Sequence, residues 1–328
     1  MIQARERALA RVALFVLLAI AILAQPVSSL IAKPTLEWLN TGTDTWTIWA
    51  SYAAAPAPDV LFVGDSRVRQ DVDVAAISRD LSSGQRNKVN VSKLGISNAD
   101  PTLLDALISR VVHRASRPRT IVLALSEFGF NASYQPDRTA DYWQLSYPPD
   151  PGFTQVALSH DPNRSRLLAG WAVPFVAHAP ILAQGVQCHL HPSPACTPGA
   201  HIHTDQMTQA ERDLIIEYYV DLFLFDFQWS ATELRDLAAA TEQVRAAGMR
   251  LAFAILPING IAEISPPLYS DYLVHMQAAA SAQHAPLTDM HAAVTESDWS
   301  LWVDPSHLND NGAAVIAPQL AAVAAGAA

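Results

Sequence analysis

In the stretch Asp59-Val60-Leu61-Phe62-Val63-Gly64-Asp65-Ser66-Arg67, an apolar run without alternation reaches a glycine and stops. A continuous run of this length is the mark of a strand covered on both faces, and such strands belong to parallel sheets with helices on either side. Ser66 follows the end of the strand, where open α/β sheets place their sites. Far downstream, Asp304-Pro305-Ser306-His307 sets an aspartate and a histidine three residues apart on a late loop. Serine, histidine and aspartate are the parts of a nucleophilic relay.

The rest of the chain keeps the rhythm that the first strand announces. Residues 72 to 81 read as a helix, Lys88 to Ser92 as a second strand ending near Gly95, and Pro101 to His113 as an amphipathic helix with proline in its first turn. Thr120 to Leu125 is a third strand. Ala231 to Ala247 is a helix with Ser230 as its N-cap and Gly248 past its end; Arg250 to Leu256 is a strand, Tyr269 to Gln283 a helix and Ala285 to Asp289 a short strand. A last helix runs from near Asn311 to about Ala324. The expected fold class is α/β, a three-layer sandwich with a mostly parallel sheet. Between about 132 and 230 the rhythm fails, and prolines, histidines and aromatic residues crowd in. This stretch is expected to be an irregular insertion, partly helical from Gln209 to Phe225. No internal repeat is visible.

Of 328 residues, 50% are apolar and only 16% charged, which excludes a disordered chain. The net charge of −10, without a Lys/Arg cluster beyond the N-terminus, argues against nucleic acid as a partner. At the N-terminus, Arg5, Arg7 and Arg11 precede an apolar stretch from Val12 to Ala32. It is long enough to span a bilayer of roughly 30 Å. A cleaved signal peptide competes with an uncleaved anchor, and a buried core helix is the plainest alternative. Ile22 and Gln25-Pro26 make a poor cleavage site after Ala24, which favours the anchor. The expected organisation is an N-terminal transmembrane segment over 1–32, a linker over 33–57 and a catalytic domain over 58–328. The arginines would keep the N-terminus cytoplasmic and place the domain outside, in a periplasmic space if the anchor sits in an inner membrane; secretion after cleavage is the alternative. Cys188 and Cys196 fit an oxidising compartment as a disulfide, with free thiols as another reading. Cys188-His189-Leu190-His191 with His201-Ile202-His203 would be the alternative, a metal site, but the spacing matches no common zinc pattern, so no metal and no cofactor is expected.

Serine is a weak nucleophile without a base, and the base needs a partner to hold its tautomer. Ser66, His307 and Asp304 fill these roles. Each has a plainer reading: a helix N-cap, a surface loop histidine and an Asx turn before Pro305. Gly64-Asp65-Ser66, followed late by Asp304-Pro305-Ser306-His307-Leu308-Asn309-Asp310-Asn311-Gly312, resembles the SGNH/GDSL hydrolase superfamily. The resemblance covers nearly all of residues 59 to 325 apart from the insertion. It implies an SGNH/flavodoxin-like sheet, Ser66 as nucleophile, and Asp304 and His307 as the other triad members. It implies an oxyanion site from the N–H groups of Ser66 and Gly95, where Leu94-Gly95-Ile96-Ser97 matches the second block. A third donor comes from an asparagine in a Gly-x-Asn-Asp block straight after the third strand. Here Gly129-Phe130-Asn131 preserves Gly-x-Asn three residues late, with Ala132 in place of Asp, and makes Asn131 the candidate.

The Gly-Asp-Ser-Arg variant resembles membrane-anchored relatives that modify cell-surface polysaccharides. The preferred expectation is therefore an extracytoplasmic serine esterase or O-acyltransferase acting on acyl esters of a glycan, acetyl foremost, alone or beside a membrane-bound acyltransferase. Arg67 would contact an anionic or sugar substrate, or else be a solvated arginine at a helix start. The aromatic residues Tyr142, Trp143, Trp171, Tyr218, Tyr219 and Trp229 would form a sugar-stacking surface or plain core. A different class is an inactive module that binds polysaccharide or scaffolds an acyltransferase complex; a metal-dependent enzyme built on the Cys/His stretch is a third.

Overall fold

The structure, a computed structural model, describes residues 45–134 except 84 and 86, single positions between 138 and 168, 207–259, and 266–327 except 296 and 297. In chain order the elements are α1 (Thr45–Ala54), β1 (Val60–Gly64), α2 (Ser66–Asp71), α3 (Val74–Ser82), β2 (Val91–Gly95), α4 (Pro101–Val112), β3 (Thr120–Ala124), α5 (Gln209–Phe223), α6 (Ala231–Ala246), β4 (Arg250–Ile255), α7 (Pro266–Ala282), β5 (Leu287–Asp289), β6 (Trp302–Asp304), β7 (His307–Leu308) and α8 (Asp310–Gly326). Strands β1 to β5 form one parallel sheet in the order β2-β1-β3-β4-β5. The chain leaves β1 for β2 on one side and returns to β3 on the other. The switch point therefore lies at the C-terminal end of β1, where such sheets open a crevice.

The two faces of the sheet are read from alternate residues of one strand. Leu61 and Val63 of β1 join Ile121, Leu123, Leu251 and Phe253 in a core shared with α1, α4, α6 and α7. Val60 and Phe62 join Val122, Ala252 and Ala254 in a second core under α3 and α8. Both faces are covered, which is why β1 and β3 are apolar at every turn of the pleat. The expected α/β class, the parallel sheet and its helical layers are all present.

Several boundaries differ from expectation. The region taken as a linker holds α1: Trp49 and Tyr52, three residues apart, are 2% and 4% exposed and pack into the first core. Arg114 closes the C-terminal end of α1, donating to the carbonyls of Tyr52, Ala53 and Ala55 at 3.3, 3.2 and 3.0 Å. The helix expected over 72–81 is present as α3, and a short helix that was not expected precedes it: the Asp65 carboxylate accepts the Arg67 N–H at 2.8 Å and starts α2 at Ser66. Asp73 then caps α3 through Ala75 and Ala76. Strand β2 begins at Val91 rather than Lys88, α7 at Pro266 rather than Tyr269, and β5 at Leu287 rather than Ala285.

The two ends of the irregular insertion are stitched together. Ala132 N–H donates to Gln228 O at 2.7 Å and Ser230 N–H to Phe130 O at 2.9 Å. Tyr142, Leu145, Phe153 and Ala157 from within it are buried in the first core, so the insertion is structural in part. Among its aromatic residues Tyr142 is core, Tyr219 and Trp229 pack against other rings, and Tyr218 is exposed. Trp143, Trp171, Cys188, Cys196 and the neighbouring histidines lie outside the described residues, as does the N-terminal segment 1–32. Among the described residues no helix is long and apolar enough to cross a membrane.

Candidate active site

The crevice begins with small residues. Gly64 pairs with Gly95 on one side and Ala124 on the other, all three at the ends of their strands. A Cβ on Gly64 would stand 1.7 Å from Ala124 O, and one on Gly95 would stand 2.3 Å from Arg69 N. Both glycines are thus fixed by contact, and they let α2 start directly against the sheet. Ser66 is its first residue, a position whose N–H has no partner within the helix. Ile96 N–H donates to Gly64 O at 3.0 Å, so in a parallel ladder the Gly95 N–H faces away from β1. Gly95 therefore lies against the start of α2, with its N–H outside the β1–β2 ladder.

Across the crevice β6 and β7 form a hairpin in which Asp304 and His307 are cross-strand partners around Pro305-Ser306. This is the physical meaning of the three-residue spacing: a tight turn brings a carboxylate and an imidazole face to face. His307 Nδ1 lies 2.9 and 2.8 Å from the two Asp304 oxygens, and His307 Nε2 lies 2.8 Å from Ser66 Oγ. The relay is continuous across 241 residues of sequence. Ser306 supports it: its N–H and its hydroxyl both donate to Asp304 Oδ1 at 2.8 Å. The Asx turn and the contact with His307, weighed as alternatives for Asp304, coexist: Oδ1 accepts both Ser306 bonds, and both oxygens lie within reach of Nδ1. Asn259 N–H holds the turn to the exit of β4 through Pro305 O at 2.7 Å.

Charge follows geometry. Burial opposes the imidazolium, but the hydrogen bond and charge of Asp304, helped by Asp71 and Asp65, outweigh it and hold His307 above its ordinary range. Burial likewise opposes the Asp304 carboxylate, yet His307 and the two Ser306 bonds keep it below the usual carboxylate range. The ring is thus a stronger base than a free histidine, with an ionised partner to orient it.

Arg67 and Asn131 depart from expectation. Arg67 is only 2% exposed and is neither a substrate contact nor a solvated helix-start residue. Its guanidinium points under the strand ends, 3.6 Å from Asp65 Oδ2 and 3.8 Å from Glu127 Oε2, and donates to Leu256 O at 3.4 Å. Ser126 adds a short hydrogen bond to Asp65 Oδ2. Burial works against the Arg67 charge, but Asp65 and Glu127 more than restore it. Burial pushes the Glu127 carboxyl up, and Arg67 offsets this only in part.

Asn131, 2% exposed, spends its carboxamide on backbone. Nδ2 donates to Phe223 O at 2.9 Å, while Oδ1 accepts from Ser133 N at 3.0 Å and Gln228 N at 3.2 Å. It ties the two ends of the insertion together, and the Nδ2 that would serve an oxyanion is engaged by Phe223 O. In register, the residues straight after β3, where the donor block was expected, are Leu125, Ser126 and Glu127; Leu125 joins the first core, while Ser126 and Glu127 serve the Arg67 cluster.

Sequence reading missed Asp71, Ser126, Glu127 and Ser306. Glu127 carried a signal, a charge directly after an apolar strand in the place of the missing block. Asp71 carried one too, lying four residues after Arg67 and so on the same face of a helix, had that helix been started at Ser66. Among the described residues no group of histidine, cysteine, aspartate and glutamate is arranged to hold a metal. No protein-family model matches the chain, and no curated protein matches it.

Proposed function

We propose that the protein is a serine esterase or O-acyltransferase of the SGNH/GDSL type, acting on acyl esters of a cell-surface glycan. The observation that carries this reading is the unbroken line from Asp304 through His307 to Ser66, with each link at 2.8 Å. Ser66 Oγ attacks the ester carbonyl as its proton passes to His307 Nε2. The N–H groups of Ser66 and Gly95 face the oxyanion, each such donor being worth about 3 kcal/mol in acyl transfer. His307 returns the proton to the leaving alcohol, and the acyl-enzyme passes its acyl group to water or to a sugar hydroxyl. Both fates use the same three residues. The glycan as substrate and the acetyl group as cargo rest on the Gly-Asp-Ser-Arg resemblance alone.

A fluorophosphonate probe tests the chemistry. The wild-type chain is expected to take the label and to release p-nitrophenol from its acetate ester, and Ser66→Ala to do neither. A wild type inert in both assays sinks the reading and leaves an inactive glycan-binding or scaffolding module. We further propose that residues 1–32 anchor the chain with its domain outside the cytoplasm. Carbonate washing is expected to leave the full-length chain in the membrane fraction, whereas a soluble product starting near Gln25 would mark a cleaved signal.

A further inference from the structure

Helix α2 carries the nucleophile at its first residue and an aspartate, Asp71, at its last. Asp71 is 0% exposed. Its Oδ1 accepts the Leu308 N–H at 2.9 Å, a bond that spans 237 residues and reaches the residue next to the base. Its Oδ2 is buried with no hydrogen-bond partner. Buried carboxylates without partners are costly and are normally eliminated or satisfied. The groups around it are His307 and Leu308 on β7, Arg67 on its own helix, Asp65 at the end of β1, and Lys93 on β2. Arg67 is already engaged by Asp65 and Glu127. Lys93 turns its ammonium to Val72 O at 2.7 Å. That leaves the imidazole of His307 as the group whose charge changes during the reaction.

We propose that Asp71 is a positioning residue for the base: it pins β7 onto the nucleophile's own helix and supplies a second, buried carboxylate to the imidazolium of His307. The first half follows from connectivity. Ser66 and Asp71 are five residues apart on one short helix, and Leu308 follows His307 directly. One hydrogen bond and one helix therefore define the separation of Ser66 Oγ and His307 Nε2. The second half follows from charge. When the proton of Ser66 moves to Nε2, the O–H bond breaks, the N–H bond forms and the oxygen electron pair enters the new C–O bond. A positive ring then has Asp304 at its Nδ1 and Asp71 bonded to the next residue of its strand. Burial pushes the Asp71 carboxyl up to about 8, with His307 the first of the groups opposing that shift, and Asp71 in turn helps to raise His307, so an imidazolium and the Asp71 carboxylate favour one another.

The proposal rests on the esterase reading, and its test is built to fail separately from it. Asp71→Asn keeps an oxygen for Leu308 N–H and removes the charge; Asp71→Ala removes both. The full chain in detergent micelles is titrated with the His307 ring followed by NMR, assigned with His307→Gln, and p-nitrophenyl acetate turnover is recorded across pH. In Asp71→Asn the His307 midpoint is expected to fall by about half a unit or more, because a favourable anion is lost. The acid limb of kcat/KM moves to lower pH with it, and kcat drops about tenfold with KM unchanged. Asp71→Ala loses about a hundredfold in kcat, as expected when a base drifts from its nucleophile. A midpoint that stays or rises in Asp71→Asn overturns the proposal, and so does a fall in kcat with an unmoved midpoint, which would mark Asp71 as purely structural. If Asp71→Ala does not fold, the Asn variant decides alone. A wild type without esterase activity or label would fail the functional reading, while the His307 midpoint would still judge the coupling.

Discussion

Asn131 shows how a residue can satisfy a motif and hold a different post. Its three bonds to the backbone of Phe223, Ser133 and Gln228 close the neck of the insertion. Removing them leaves one buried carbonyl and two N–H groups without partners. Asn131→Ala is therefore expected to cost about 2–3 kcal/mol of stability. The rate of fluorophosphonate labelling per folded molecule is expected to stay within about twofold, since no reacting atom is touched. A melting curve read beside the labelling rate checks both; a labelling rate that collapses while the melting temperature holds would return Asn131 to the oxyanion site. The hydrogen-bonded line of Ser66, His307 and Asp304 was legible at this scale because it depends on chemical type and on one short spacing. The role of Asn131 was not, because a carboxamide serves equally as oxyanion donor or backbone staple, and only its surroundings choose.

At the scale of elements, α1 carries the lesson. Its sequence, Thr45-Trp46-Thr47-Ile48-Trp49-Ala50-Ser51-Tyr52-Ala53-Ala54, has no acidic residue in its first turn or basic residue in its last and only weak amphipathic character, so nothing in it announces a helix. Tertiary packing forms it: Trp49 and Tyr52 enter the core, with Arg110 lying 5.0 Å over the Trp49 ring and Arg114 4.4 Å over that of Tyr52. A chain starting at residue 58 is expected to melt well below one starting at 45. The loss is about 3–5 kcal/mol by analogy with the deletion of one large buried aromatic side chain. Equal melting temperatures for the two chains would show that α1 contributes nothing and that the linker reading was right. By contrast α4 and α6 were legible almost to the residue, because caps are local: Asp100 accepts from Leu103 N at 2.8 Å, Ser230 from Glu233 N at 3.2 Å, and Gly248 takes a φ of +73° past the end of α6.

Over the whole molecule, the site is a meeting of strand ends. Arg67, next to Ser66, collects Asp65 after β1, Glu127 after β3 and Leu256 after β4, replacing three separate loop ends by one charged knot. Breaking such a knot by removing one partner strands the others. Arg67→Met is expected to destabilise the domain by about 3–5 kcal/mol. Changing Arg67 and Glu127 together to Met and Gln is expected to recover part of that loss, and a double variant no more stable than Arg67→Met would refute the coupling. The sequence by itself determined the α/β class, the parallel sheet and the three residues that form the relay. Those properties follow from local pattern: unalternating apolar strands, capped helices, and an aspartate and a histidine facing each other across a two-residue turn. Only the tertiary structure decided the fates of Arg67, Asp71 and Asn131. All three are polar side chains in the interior, and a buried polar group takes its role from whichever partner lies within reach, often from the far end of the chain. Sequence spacing does not record that distance, and the sheet that brings Leu308 to Asp71 across 237 residues does.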